Sequence, residues 1–255
     1  MRDTLAAYVL RQGDRALVLA QRLLEVVTHA PEIEEDMALS NLALDLIGQS
    51  RALYSYAGEV EGPADDGTVR DEDHYAYWRD QQEFLNPLLV ELPNGDFAQV
   101  IGRQFLHDAF ALPYWQAMTR STDESLAALA GKSVKETAYH LRHSRSWVVR
   151  LGDGTEESHA RMQRAIDELW RYTAELIERD AVEDELVATG VAADPDLLRD
   201  EWRTIVNATL DEATITIPAD GPMQTGGRVG RHTEQFSYLL GELQVIARAH
   251  PGASW

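Results

Sequence analysis

Apolar residues in this chain recur at helical spacing over segments of about 24 residues or more, and nowhere alternate as a strand would. Leu5, Val9, Leu10, Leu17, Leu19, Leu23, Leu24 and Val27 mark a first helix, ending near His29-Ala30-Pro31. Met37, Leu39, Leu42, Leu44, Leu46, Ile47, Leu53 and Tyr54 mark a second, over 33–57. A polar linker, Gly58 to Thr68, follows, then a helical segment over 71–89 in which Pro87 predicts a kink or a separate piece. Pro93-Asn94-Gly95 is a turn, and Asp96 is placed to cap a helix running to about Arg120, with a kink or break at Pro113. Ser121-Thr122-Asp123 caps a long helix to Leu151, and Thr155-Glu156-Glu157 opens one reaching about Arg179. Asp194-Pro195 starts a helix to about Ala213, and a last amphipathic helix covers 233–249. Thr214-Ile215-Thr216-Ile217 reads as extended loop. Long helices joined by short turns predict an all-α antiparallel bundle forming a single domain, 1–255.

Composition removes several function classes. With 23 basic against 43 acidic residues the formal net charge is −20, and no Lys/Arg-rich run is present, which argues against nucleic acid as a partner. The chain contains no cysteine, so thiolate metal sites and cysteine nucleophiles are out. No apolar run approaches the ~20 residues needed to span a bilayer, and Met1-Arg2-Asp3-Thr4-Leu5 lacks a signal-peptide pattern, so a cytoplasmic protein is expected. There is no Gly-x-Ser-x-Gly elbow, and no phosphate-binding glycine loop follows a strand.

What stands out is polar chemistry in the middle of the long helices. Asp45-Leu46-Ile47-Gly48 and Glu136-Thr137-Ala138-Tyr139-His140 lie inside apolar-periodic segments. A carboxylate-bridged di-iron bundle draws a Glu from each of two helices and Glu-x-x-His from two others, because residues three apart share a helix face. The positions where such ligands belong are Gln21 or Glu25, Asp45 with Gly48, Asp108, and Thr137 with His140. Gly48 has no donor, Thr137 is a poor ligand for a hard metal, and Gln21 is neutral. Asp45 and Asp108 fall short of the about four carboxylates needed to balance two iron ions, even if Glu136 turns inward. The alternative is a metal-free buried polar cluster of Asp45, Asp108 and His140, with Arg51, Arg103 and Arg142 as candidate counter-charges.

Glu156-Glu157-Ser158-His159 and Asp71-Glu72-Asp73-His74 match the motif better, yet each sits in the first turn of a predicted helix, far from mid-bundle, where capping explains the acids. Gly226-Gly227-Arg228-Val229-Gly230-Arg231-His232 is the one small basic element. Arg228 and Arg231 are either candidate contacts for a phosphate or an acidic partner, or solvated arginines of a flexible loop. Tyr75, Tyr77, Trp78 and Phe84 form an aromatic stripe suited to a core or an interface.

Several ordered stretches carry a family resemblance: Leu10-Arg11-Gln12-Gly13-Asp14, His29-Ala30-Pro31-Glu32-Ile33-Glu34, Asn41-Leu42-Ala43-Leu44-Asp45-Leu46-Ile47-Gly48-Gln49, Leu88 to Ala98, Lys135 to Arg142, Thr225-Gly226-Gly227-Arg228 and His232-Thr233-Glu234. Across essentially its whole length the chain resembles the C-subunit family of bacterial phenylacetyl-CoA epoxidases. The resemblance implies a ferritin-like bundle with extra helices and a non-catalytic structural subunit. It implies pairing with a homologous catalytic subunit that holds the di-iron site, within a complex that epoxidises the ring of phenylacetyl-CoA using dioxygen. It further implies other subunits of that complex, a reductase with flavin and iron–sulfur centres fed by NADPH, no cofactor in this chain, and optionally a homodimer contact. Under that reading Gln21, Asp45, Gly48, Asp108, Glu136, Thr137 and His140 are positions of a degenerate metal site. The rival reading makes the chain a metal-dependent oxygenase or oxidase with an atypical ligand set.

Overall fold

A computed structural model describes residues 1–65 and 67–253. All regular structure among them is helical, and the fold is all-α and ferritin-like. The chain divides into two compact units, Met1–Pro93 with the segment from Gly226 onward, and Asn94–Thr225. No helix is long and apolar enough to cross a membrane, among the described residues.

The first unit is built on an antiparallel pair, α1 (Arg2–Leu24) and α2 (Ile33–Glu61), with α8 (Glu234–Ala249) beside them. The pairing is close because of Gly13. A β-carbon there would lie 2.6 Å from the Tyr54 ring, so glycine lets the ring lie against α1. Leu39, Leu42, Leu46 and Leu53 of α2 and Val9, Leu19 and Leu23 of α1 are fully or almost fully buried. After α2, the helix expected over 71–89 does not form, although a separate piece does follow Pro87. A π turn (His74–Trp78) and two 3-10 turns (Gln81–Glu83 and Leu88–Glu91) replace it, with extended backbone at Arg79 and Phe84. The cause is tertiary. The Leu85 backbone N–H donates to the buried Asp14 carboxylate at 2.7 Å, and Arg79 spends its guanidinium on the same group, so both are drawn away from helical geometry.

The second unit holds α3 (Phe97–Met118), α4 (Glu124–Gly152), α5 (Glu156–Trp170), α6 (Ala181–Ala188) and α7 (Pro195–Glu212). Its caps follow the sequence. Asp96 accepts from Gln99 N at 3.1 Å, Asp123 from Leu126 N at 2.9 Å, and Pro195 stands at the first position after the Asp194 cap. α3 runs through Pro113 without ending, because the helix is buried around most of its circumference and packing overrides the proline penalty. The helix expected to reach Arg179 stops at Trp170. Thr173 Oγ1 donates to the Trp170 carbonyl at 2.8 Å, a 3-10 turn follows over Ala174–Leu176, and α6 starts anew from an Asp180 cap.

Candidate functional site

Of the seven mid-helix positions, Gln21, Asp45 and Gly48 lie on α1 and α2 of the first unit, all half-buried. Asp108 lies on α3, and Glu136, Thr137 and His140 lie on α4 of the second unit. There the expected polar cluster takes shape. Asp108 is fully buried, Thr137 and His140 are almost so, and the inward face of α4 is polar for about three turns through Ser133, Thr137, His140 and Ser144. Ser144 Oγ donates to Asp108 Oδ2 at 2.9 Å and lies 3.0 Å from the His140 carbonyl, joining α4 to α3. Gln104 Nε2, one turn earlier on α3, donates to Asp108 Oδ1 at 2.8 Å, and His107 Nδ1 lies 3.1 Å from the same oxygen. Burial pushes the Asp108 carboxyl well above the usual carboxylate range, and the hydrogen bonds from Ser144 and Gln104 pull back without reversing it. A protonated Asp108 has His107 Nδ1 within reach as acceptor.

The arginines expected to neutralise this cluster do other work. Arg51 pairs with Glu72 at 2.9 Å, Arg103 donates to Asn94, and Arg142 lies over the Tyr139 ring. Glu136 is met by Lys132 at 3.5 Å. Gln104, His107 and Ser144 were not singled out by sequence, although Gln104–Asp108 and His140–Ser144 each have the four-residue spacing that aligns side chains on a helix.

The first unit holds two buried networks that sequence reasoning missed. In one, Asp14, fully buried, receives the Arg79 guanidinium, the Tyr54 hydroxyl at 2.5 Å and the Leu85 N–H at 2.7 Å. Arg79 also donates to the carbonyls of Tyr75 and Glu83, and its guanidinium lies 4.1 Å from the Phe84 ring centroid. Burial pulls the guanidinium down, but Asp14 and its neighbours more than reverse this and hold it above its usual range. Tyr54 is pushed well above its own range by burial first and the Asp14 charge second. Gln244 of α8 donates to the carbonyls of Ala76 and Arg79, and Arg248 to those of Tyr77 and Arg79. The aromatic stripe divides accordingly: Tyr75 and Phe84 enter this core while Trp78 stays exposed.

In the other network, Glu91 is met by His232 Nδ1 at 2.7 Å, Asn86 Nδ2 at 2.9 Å and Thr233 N at 2.6 Å. His232 Nε2 lies 2.8 Å from the Phe84 carbonyl. An imidazole facing a carboxylate on one nitrogen and a carbonyl on the other is suited to carrying both protons. Burial lowers its affinity for the second proton, and the Glu91 hydrogen bond and charge outweigh that, so the pKa is raised. Gly227 makes room for this clasp, since a β-carbon there would meet the Asn86 carbonyl at 2.2 Å. The expectation of two solvated arginines in this loop fails for Arg228, which is buried on a 3-10 turn; Arg231 is exposed. The motif matches at the helix starts are structural. His159 Nδ1 contacts the Gly152 carbonyl at 2.7 Å, and Asp71 accepts from the His74 N–H at 2.9 Å.

A di-iron centre does not fit these residues. Gly48 brings no donor, Thr137 and Gln21 bring neutral oxygen, and both oxygens of Asp108 already face protein side chains. Among the described residues no three His, Asp or Glu side chains gather as a metal-binding group. What the arrangement does chemically is hold helices together through buried hydrogen bonds.

The chain matches, over residues 1–255, the family described as phenylacetic acid catabolic protein. It is 47% identical over 253 residues to the Escherichia coli (strain K12) protein named as the C subunit of 1,2-phenylacetyl-CoA epoxidase, covering 99% of this chain and 100% of that protein. The chain thus belongs to the phenylacetic acid catabolic protein family.

Proposed function

We propose that this chain is a non-catalytic structural subunit of a multicomponent oxygenase that epoxidises the ring of phenylacetyl-CoA in aerobic phenylacetate catabolism. It acts as one ferritin-like domain, pairs with a homologous subunit that carries the di-iron site, and stabilises it. Flavin and iron–sulfur centres belong to a reductase subunit of the same complex. The observation that carries this reading is the donor set: polar residues persist where a metal-bearing bundle places its ligands, but Gly48, Thr137 and a hydrogen-bonded Asp108 replace them. The identity to a protein named as the C subunit of such an epoxidase supports the same role.

Co-expression with the homologous catalytic subunit and the reductase tests it. Leaving this chain out should cost the catalytic subunit its solubility or its turnover. Asp45→Ala and His140→Ala should weaken folding or assembly, with turnover per assembled complex kept. Loss of iron from this chain together with loss of turnover, in variants that still fold and assemble, would overturn the reading and make the chain an oxygenase itself.

A further inference from the structure

The chain has four asparagines, Asn41, Asn86, Asn94 and Asn207, and the backbone treats them differently. An asparagine becomes a carboxylate when the backbone nitrogen of the next residue attacks its Cγ, so the state of that nitrogen decides which of them reacts. The nitrogen after Asn86 belongs to Pro87 and has no proton to lose. Those after Asn41 and Asn207 lie inside α2 and α7, where helical hydrogen bonds hold the N–H groups and fix the backbone. Asn94 stands apart, in the turn that leads into α3. Gly95 after it is exposed and left-handed, at φ 57°, and its N–H meets no acceptor among the described residues. Lacking a β-carbon, glycine neither screens its nitrogen nor restricts the rotation that brings it to Cγ.

The side chain is also held for the reaction. Asn94 Oδ1 accepts from the guanidinium of Arg103 on α3, which is 1% exposed. A cation on that oxygen draws electrons from Cγ and meets the negative charge that develops as the nitrogen adds. After the reaction the same guanidinium faces a carboxylate, in a charge-assisted pair stronger than the neutral bond it replaces. The new charge stands just before the first turn of α3, where the helix dipole favours it. Arg161 and Arg164, within 3.9 Å of the Asp96 carboxylate, offset its repulsion with that cap.

We infer that Asn94 is a self-modification site, converted to aspartate by attack of the Gly95 nitrogen and steered by Arg103. The Gly95 N–H gives its proton to hydroxide, and the nitrogen bonds to Asn94 Cγ. The Cγ–Nδ2 bond then breaks, and the leaving nitrogen takes a proton from water to depart as ammonia. Water adds to one carbonyl of the resulting cyclic imide and reopens it, with no change in oxidation state. Opening at Cγ leaves an aspartate in an unaltered main chain; opening at the backbone carbonyl leaves an isoaspartyl link. Arg103, by polarising the Cγ carbonyl, directs water to Cγ.

The test incubates the full-length chain in mildly alkaline buffer, folded and in urea, and maps its peptides by mass spectrometry. Asn94→Asp supplies the reference for the aspartyl product and should melt at or above the wild type. In the folded chain Asn94 should be the first asparagine to show the mass gain of amide to acid, with ammonia released in step. Aspartate should exceed isoaspartate there, and the isoaspartyl share should rise in urea, where Arg103 no longer holds the side chain. Conversion first at Asn41, Asn86 or Asn207, no conversion of the folded chain over a time that converts the unfolded one, or the same product ratio in both states would overturn the inference.

Discussion

Two aspartates, Asp14 and Asp108, are both fully buried mid-helix, and their surroundings answer the cost of burial in opposite ways. Around Asp14 the first unit supplies a guanidinium, a phenol and a backbone N–H. Around Asp108 the second unit supplies an amide, a hydroxyl and an imidazole, and the carboxyl keeps its proton above the usual range. The first solution fixes an irregular segment, because Arg79 and Leu85 reach Asp14 only if residues 74–91 abandon a continuous helix. The second joins two regular helices with little distortion. Both carboxylates are engaged by protein groups of their own unit.

Arg79 carries most of the difference between the two aspartates. Arg79→Ala strands a buried carboxylate and should cost about 3–5 kcal/mol of unfolding free energy in urea titration, enough to threaten the fold; a loss under about 1 kcal/mol would break the contrast. His232→Ala should cost about 1.5–3 kcal/mol near neutral pH, by removing a charge-assisted bond to Glu91. Its sign with pH follows from the raised pKa. The stabilisation is complete below the ordinary histidine value and is lost as pH rises through the higher folded value, so the melting-temperature gap between wild type and His232→Ala should narrow toward alkaline pH. Gly13→Ala, which forces a methyl into the Tyr54 ring, should cost about 1–3 kcal/mol by thermal melting.

Asp108→Asn should be mildest, at about 1 kcal/mol, because a neutral amide replaces a group that already resists ionisation. Here pH acts through a raised carboxyl. The folded state holds a proton the unfolded chain has released, so wild-type stability should fall relative to Asp108→Asn as pH rises from the ordinary aspartate value toward the folded one. Melting curves from acid to neutral pH check this; a gap that stays constant would mean that folding does not raise the Asp108 carboxyl.

The long helices were legible because a 3.6-residue apolar period persists through α1, α2, α4 and α7, and Asp96, Asp123 and Asp194 announce their starts. Asp108, Thr137 and His140 were legible as polar residues within apolar runs. The rest of the Asp108 cluster was half visible, in the spacing of Gln104 and Ser144. The Asp14–Arg79 pair had no local signal, since its members are 65 residues apart, and the same pair explains why the helix expected over 71–89 does not form. Arg228 went astray for a related reason: a basic residue between glycines looks solvated until the fold buries it.

If the chain is the non-catalytic subunit proposed above, it keeps a bundle's polar interior without a metal. Elemental analysis of iron in the chain expressed alone, purified from iron-replete cells and shown to be helical by circular dichroism, tests this most directly. Iron near zero per chain is expected. About two irons per folded chain would contradict it and mean that Asp45, Asp108, Glu136 and His140 serve a working centre.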